Sequence, residues 1–121
     1  ILRSKAILYE MQDYLSSHPD AAVVNMGCGL DQTPRLGDNG RMNLYNIDRK
    51  DIISIRNSLL PPIGREINIA ADLNDDEAQN SLGFYYEKGK LTKISEVFAV
   101  INGRTTTSEN LFEGSACTST L

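Results

Sequence analysis

Ala21-Ala22-Val23-Val24-Asn25-Met26-Gly27-Cys28-Gly29-Leu30-Asp31 is the stretch that decides how this chain folds. Its first six residues are apolar apart from one asparagine and do not alternate, as expected of a strand buried on both faces in the middle of a parallel sheet. Two glycines then flank a cysteine. Glycine reaches backbone conformations closed to other residues, so the pair predicts a sharp turn at the carboxyl end of the strand, where a ligand can approach the main chain closely. Asp31 closes the same turn, and a carboxylate there suits a cationic or hydroxyl-bearing ligand better than a phosphate.

Upstream of this strand, Ile7, Leu8, Met11, Tyr14 and Leu15 recur at helical spacing and form one apolar stripe on a helix from Ile1 to Ser17. Ser16-Ser17-His18-Pro19-Asp20 ends it, because proline cannot continue a helix and biases His18 toward extended backbone. Downstream, Pro34, Gly37, Asp38, Asn39 and Gly40 predict a short helix and then a loop. Met42-Asn43-Leu44-Tyr45-Asn46-Ile47 predicts a second strand closing on Asp48. Ile52, Ile53, Ile55, Leu59 and Leu60 fit the inner face of a helix from Lys50 to Leu60, stopped by Pro61-Pro62. Ile67 to Ala71 predicts a third strand closing on Asp72. Helix, strand, helix, strand, helix, strand argues for an α/β fold with a mostly parallel sheet. A further helix is expected from Asp75 to Tyr86 and a fourth strand over Val97-Phe98-Ala99-Val100-Ile101. The Ser-, Thr- and Gly-rich stretch from 104 to 121 reads as an irregular or disordered tail, so the domain is expected over 1–103.

The bulk properties narrow the function. The net charge of −4 comes with twelve basic residues that are scattered rather than gathered into a stripe, which removes the footprint of a nucleic-acid binder. No apolar run is long enough to cross a membrane and the start lacks a secretory layout, so a cytoplasmic location is expected. Two cysteines, Cys28 and Cys117, and the single histidine, His18, offer neither a disulfide framework nor a metal site. His18 is expected on a solvated turn, and Cys28 is expected to fill the small space between its glycines rather than act as a nucleophile.

Ligands of open parallel sheets bind at the carboxyl ends of the strands, and each of the first three strands ends in an acid: Asp31, Asp48 and Asp72. Aspartate at a strand end often serves only to start a turn or cap a helix. Taken together the three are more specific: a carboxylate at the second strand can accept the hydroxyls of a ribose, and one at the third can accept the exocyclic amine of an adenine. A dinucleotide site would use Gly-x-Gly-x-x-Gly with a pyrophosphate at the helix start. Here Gln32 takes the third glycine position and Asp31 would repel phosphate, which favours a phosphate-free ligand.

Val23-Val24-Asn25-Met26-Gly27-Cys28-Gly29-Leu30-Asp31, then Tyr45-Asn46-Ile47-Asp48 with Ile52-Ile53 and Arg56, then Ala70-Ala71-Asp72-Leu73, resemble the leucine carboxyl methyltransferase family over residues 1–75. That family includes protein-phosphatase carboxyl methyltransferases and bacterial O-methyltransferases of polyketide biosynthesis. The resemblance implies a Rossmann-like class I methyltransferase fold and S-adenosylmethionine as cofactor. Gly27, Cys28, Gly29 and Asp31 would pass beneath its methionine part, Asp48 would bind the ribose, and Asp72 with Leu73 would hold the adenine. Arg3 occupies the place of the arginine that pairs with the cofactor carboxylate, a geometry its planar fork suits. The methyl acceptor would be a carboxylate or hydroxyl of a small molecule or a protein, and no residue stands out as catalytic base.

The chain departs from the family pattern in three ways. The arginine after Leu-Asp is displaced to Arg35, the proline usual after the second acid is Arg49, and neither the tryptophan nor the Glu-Gly strand end expected after Asn74 is found. A complete methyltransferase core runs to about 200 residues, since each parallel strand needs its own crossover, so a fragment or incomplete chain is expected. Two other readings are kept: a degenerate α/β interaction module without activity, whose exposed apolar sheet edge would have to form a homodimer or aggregate, and an NAD-type dinucleotide-binding domain.

Overall fold

The computed structural model describes residues 2–71, 96–101 and 103–107. The helix expected from Asp75 to Tyr86, together with Asp72, Leu73, Cys117 and the tail from 108 onward, lies outside the described residues. Helix α1 (Leu2–Ser17) leads into strand β1 (Ala22–Met26), followed by helix α2 (Thr33–Leu36), strand β2 (Asn43–Asp48), helix α3 (Lys50–Leu59), and strands β3 (Glu66–Ala70), β4 (Val97–Ile101) and β5 (Arg104–Thr107). The strands form one five-stranded sheet in the order β3-β2-β1-β4-β5. Strands β3, β2, β1 and β4 are parallel and β5 runs antiparallel to β4. The fold is therefore α/β with a mostly parallel mixed sheet.

The apolar, non-alternating composition of β1 has the consequence expected of it: all five of its residues are buried. Val24, Met26, Tyr45, Ile47, Ile69, Val97 and Ala99 make one side of the sheet, and Val23, Leu44, Phe98 and Val100 make the other. Met11 and Leu15 of α1 pack into the second side, with Ile7, Leu8 and Tyr14 against its margin. α1 stops where Pro19 removes the next helical donor, and the amide of His18 closes the last turn on the Tyr14 carbonyl at 2.9 Å. α2 reaches the same side of the sheet: Gly37, which caps it, lies so close to Met11 that a methyl group there would come within 1.9 Å of the Met11 Cε.

Two expectations are corrected. The inner face of α3 is not the isoleucine and leucine stripe: Ile53 and Arg56 are the buried residues, while Ile55 is 49 % and Leu59 62 % exposed. The reason lies in the strands beneath. Residues Asn46, Glu66 and Asn68 alternate onto the side of the sheet that α3 covers, so a polar residue of the helix is drawn inward to meet them. The second correction concerns the threonines after Gly103. Arg104–Thr107 pairs with β4 from Ile101↔Arg104 to Phe98↔Thr107, and Gly103, with φ of 75°, supplies the left-handed residue of the reversal. Three successive β-branched threonines favour extended backbone once a partner strand is alongside.

Successive strands move from β1 to β2 to β3 in one direction, and β4 then lies on the other flank of β1. That reversal falls between β1 and β4, and in open parallel sheets ligands are taken outside the carboxyl ends of the strands at such a point. The register aligns these ends: Met26 stands opposite both Ile47 and Ile101, and Asp48 opposite Ala70.

Candidate functional site

At that edge the chain leaves β1 through the glycine turn. The amides of Gly27 and Cys28 both donate to the carbonyl of Ile47, at 2.8 and 3.2 Å, so the turn folds over the end of β2. Gly27 and Gly29 have φ of 70° and 51°, the left-handed region where any other L-residue is strained. A side-chain carbon built at either glycine would meet nothing within 4 Å. Among the described residues it is backbone conformation, not crowding, that requires glycine here.

Asp48 stands at the end of β2, half-buried, and is tied to the turn. Its Oδ2 accepts the Gly29 amide at 2.9 Å and its Oδ1 accepts the Arg49 amide at 2.8 Å. A carboxylate has about four acceptor positions, so two hydrogen bonds leave it capacity for two hydroxyl groups. Asp31 is exposed and more committed: Oδ1 accepts the amide and the hydroxyl of Thr33, at 3.0 and 2.7 Å, and Oδ2 lies 3.4 Å from Asn25 Nδ2. These bonds organise the start of α2, the local turn-forming role that aspartate often takes.

Cys28 points inward and is buried. Burial raises its thiol to a pKa of about 11, with Asp48 and Asp31 adding to the rise and Arg56 and a backbone hydrogen bond opposing it. It is held as a neutral thiol at physiological pH and behaves as a small hydrophobe. Arg3 lies at the start of α1, exposed, with its guanidinium against the β4–β5 reversal: a methyl group at Gly103 would come within 3.0 Å of Arg3 Nη1. Since β4 neighbours β1, Arg3 belongs to the same edge of the sheet as the glycine turn. Asp72 and Leu73 follow Ala71, whose amide donates to the Asp48 carbonyl at 2.8 Å, and are themselves outside the described residues.

Beside Asp48 a cleft of about 830 Å³ opens between the start of α3 and the end of β3, lined by Arg49, Lys50, Asp51, Ser54, Ala70 and Ala71. Its size falls in the range of small-molecule sites, roughly 300–1,000 Å³. The Arg49 guanidinium pairs with Asp51 at 3.2 Å on its exposed rim.

Beneath the turn lies a layer of charge to which sequence reading attached no role. Arg56 is fully buried at 0 % exposure, and its Nη1 donates to the carbonyls of Gly29 and Asp31 at 3.0 and 2.9 Å. Its Nη2 stands 3.6 Å from Glu66 Oε2. Glu66 also receives Arg35 in a two-pronged pair, Nε to Oε1 at 3.0 Å and Nη2 to Oε2 at 2.9 Å, and Asn46 Nδ2 at 2.7 Å. Burial alone would raise the carboxyl of Glu66, but the Arg35 hydrogen bonds, the Ile63 amide and Asn46 outweigh it and hold it below 4.5. The available signal was the charge itself: an Arg in a helix whose apolar residues were expected inward, and a Glu just ahead of the apolar residues of the third strand.

Comparison with protein-family models, with curated proteins and with solved structures found no match to this chain.

Proposed function

We propose that this chain is the cofactor-binding part of an S-adenosylmethionine-dependent O-methyltransferase of Rossmann-like class I architecture. One observation carries the reading. The left-handed glycines Gly27 and Gly29 have no described side chain or backbone crowding them, while the neighbouring Asp48 carboxylate, half-buried at the end of β2, holds the turn and keeps acceptor positions for a ligand.

The residues present fit such a ligand. Asp48 would accept the ribose hydroxyls, in hydrogen bonds strengthened by its charge. The cleft beside it, with Ala70 and Ala71 on its wall, would take a flat base. Gly27 and Gly29 allow the methionine portion to lie against main chain, and Arg3 on the same edge offers a guanidinium to its carboxylate. When bound, the cofactor supplies an electrophilic methyl group on a sulfonium. The contribution of the chain's own residues is to hold that group at fixed distance and direction from an acceptor, the kind of orientation that accounts for much of a displacement's rate. A carboxylate acceptor needs no general base. The exposed face of Asp31 disfavours a pyrophosphate above the turn, which sets the dinucleotide reading behind this one.

Titration calorimetry with S-adenosylhomocysteine tests the proposal. Binding in the micromolar range that is lost in Asp48→Ala supports it. A folded sample with no measurable binding refutes it.

A further inference from the structure

We propose that Arg56 is the positioning residue of the glycine turn, with Glu66 as its fixed counter-ion. This rests on the reading of that turn as the ligand site. The single nitrogen Nη1 of Arg56 carries two N–H groups, and the structure gives one to each of the two carbonyls that the turn directs inward, those of Gly29 and Asp31. Buried carbonyls must find donors, and here one charged group serves both. Gly29 is held from two directions: its amide goes to the Asp48 carboxylate and its carbonyl to the Arg56 guanidinium. Charged side chains of opposite sign, one from the end of β2 and one from α3, thereby fix both peptide planes flanking Gly29.

A turn needed only to reverse the chain would not require this. A fully buried guanidinium whose Nε finds no partner among the described residues, and whose nearest carboxylate oxygen among them lies at 3.6 Å, is a poor means of stabilisation, since well-packed apolar groups usually do as well or better. What the arrangement does supply is orientation. With their carbonyls bonded inward, Gly29 and Asp31 present no carbonyl oxygen to the open side, and the left-handed conformation of Gly29, which the chain would otherwise visit only as one state among several, is held in place. Arg35 completes the device from below by gripping Glu66 at both oxygens, so that the counter-ion cannot swing away from Arg56.

The test uses the full chain and two variants, Arg56→Lys and Glu66→Asp, read by amide hydrogen exchange and by calorimetry with S-adenosylhomocysteine. Lysine keeps the charge but loses the fork that reaches two carbonyls at once. Aspartate keeps the counter-charge but draws it back. For both variants, exchange at the Gly29 and Asp31 amides should rise at least tenfold more than at the Val24 amide in β1, and the dissociation constant should rise at least tenfold. A rise of equal factor at Val24 and in the turn would mark Arg56 as a general core strut and overturn the proposal, as would failure of both variants to fold. A rise confined to the turn with unchanged affinity would overturn it as well. If the unaltered chain binds no S-adenosylhomocysteine, the methyl-donor reading fails, and the exchange comparison, which uses no ligand, still decides whether Arg56 positions the turn.

Discussion

Glu66 is the sole carboxylate paired with both Arg35 and Arg56 among the described residues, so its replacement by glutamine has a magnitude that can be worked out. A glutamine side chain at this position would keep the shape and one oxygen to accept Asn46 Nδ2, and would lose the charge together with the second acceptor, an NH2 group then facing Arg35 Nε and the Ile63 amide. Breaking a buried ion pair by neutralising one partner typically destabilises by about 3–5 kcal/mol, because the other charge is left buried and uncompensated. Both side chains of the inner pair qualify, at 1 % exposure for Arg56 and 3 % for Glu66. The Arg41–Asp20 pair is the internal control: its side chains are 59 % and 50 % exposed, and exposed pairs contribute about 0–1 kcal/mol. Urea unfolding at pH 7 should therefore show a loss of about 3–5 kcal/mol for Glu66→Gln and under about 1 kcal/mol for Asp20→Asn. The pH dependence has a definite sign. Glu66 has a folded pKa held below 4.5, so its stabilisation is complete above that value and disappears as pH falls through the lower, folded value. The gap between unaltered chain and Glu66→Gln should accordingly close in acid. A loss below about 1 kcal/mol at pH 7, the level of an exposed pair, or a gap that widens in acid, would refute the assignment of Glu66 as the counter-ion.

Three further outcomes follow from the turn and the core. Gly29→Ala introduces no clash, so its effect on stability should be that of a left-handed alanine, about 1–2 kcal/mol by urea unfolding, while binding of S-adenosylhomocysteine should fall further than stability because the new methyl group enters the open side. Cys28 should resist alkylation by iodoacetamide in the folded chain at pH 7 and react at the rate of a free thiol only on unfolding or as pH approaches its raised value of about 11. Met11→Ala removes a fully buried side chain between α1 and the sheet and should destabilise by about 2–5 kcal/mol in thermal or urea unfolding, with the Gly29 amide still protected relative to Val24.

Much of the fold was legible because local pattern and tertiary setting agree. The non-alternating run of β1, apolar but for Asn25, is buried on both faces, the α1 stripe meets the sheet through Met11 and Leu15, and the acid expected after the second strand is its last residue. Helix α3 was legible as a helix and misleading as to its inner face. Periodicity alone assigns the interior to apolar residues, whereas the interior of α3 is decided by what the neighbouring strand presents, and β3 presents Glu66 and Asn68. Strand β5 was missed for a related reason: threonines after a glycine carry little hydrophobic signal, and their pairing depends on β4 alongside, which local composition does not encode. At the site, Gly27, Gly29 and Asp48 could be picked out because turn geometry and strand ends leave marks in sequence. Arg56 stood out only as a charge within a helix, and its role could not be read, since two of its partners are main-chain oxygens and a carbonyl has no letter of its own.

Every stage of the α/β unit has a hand on the same turn. β1 delivers it, Asp48 of β2 takes its amide, Arg56 of α3 takes its carbonyls, and Glu66 of β3 balances that arginine. Its native shape therefore depends on contacts from two strands and a helix beyond the one that delivers it. It also widens the set of positions at which a mutation would be scored as a binding defect: changes at Glu66, far along the chain, or at Arg35, just past the turn, would reach the site through one shared carboxylate.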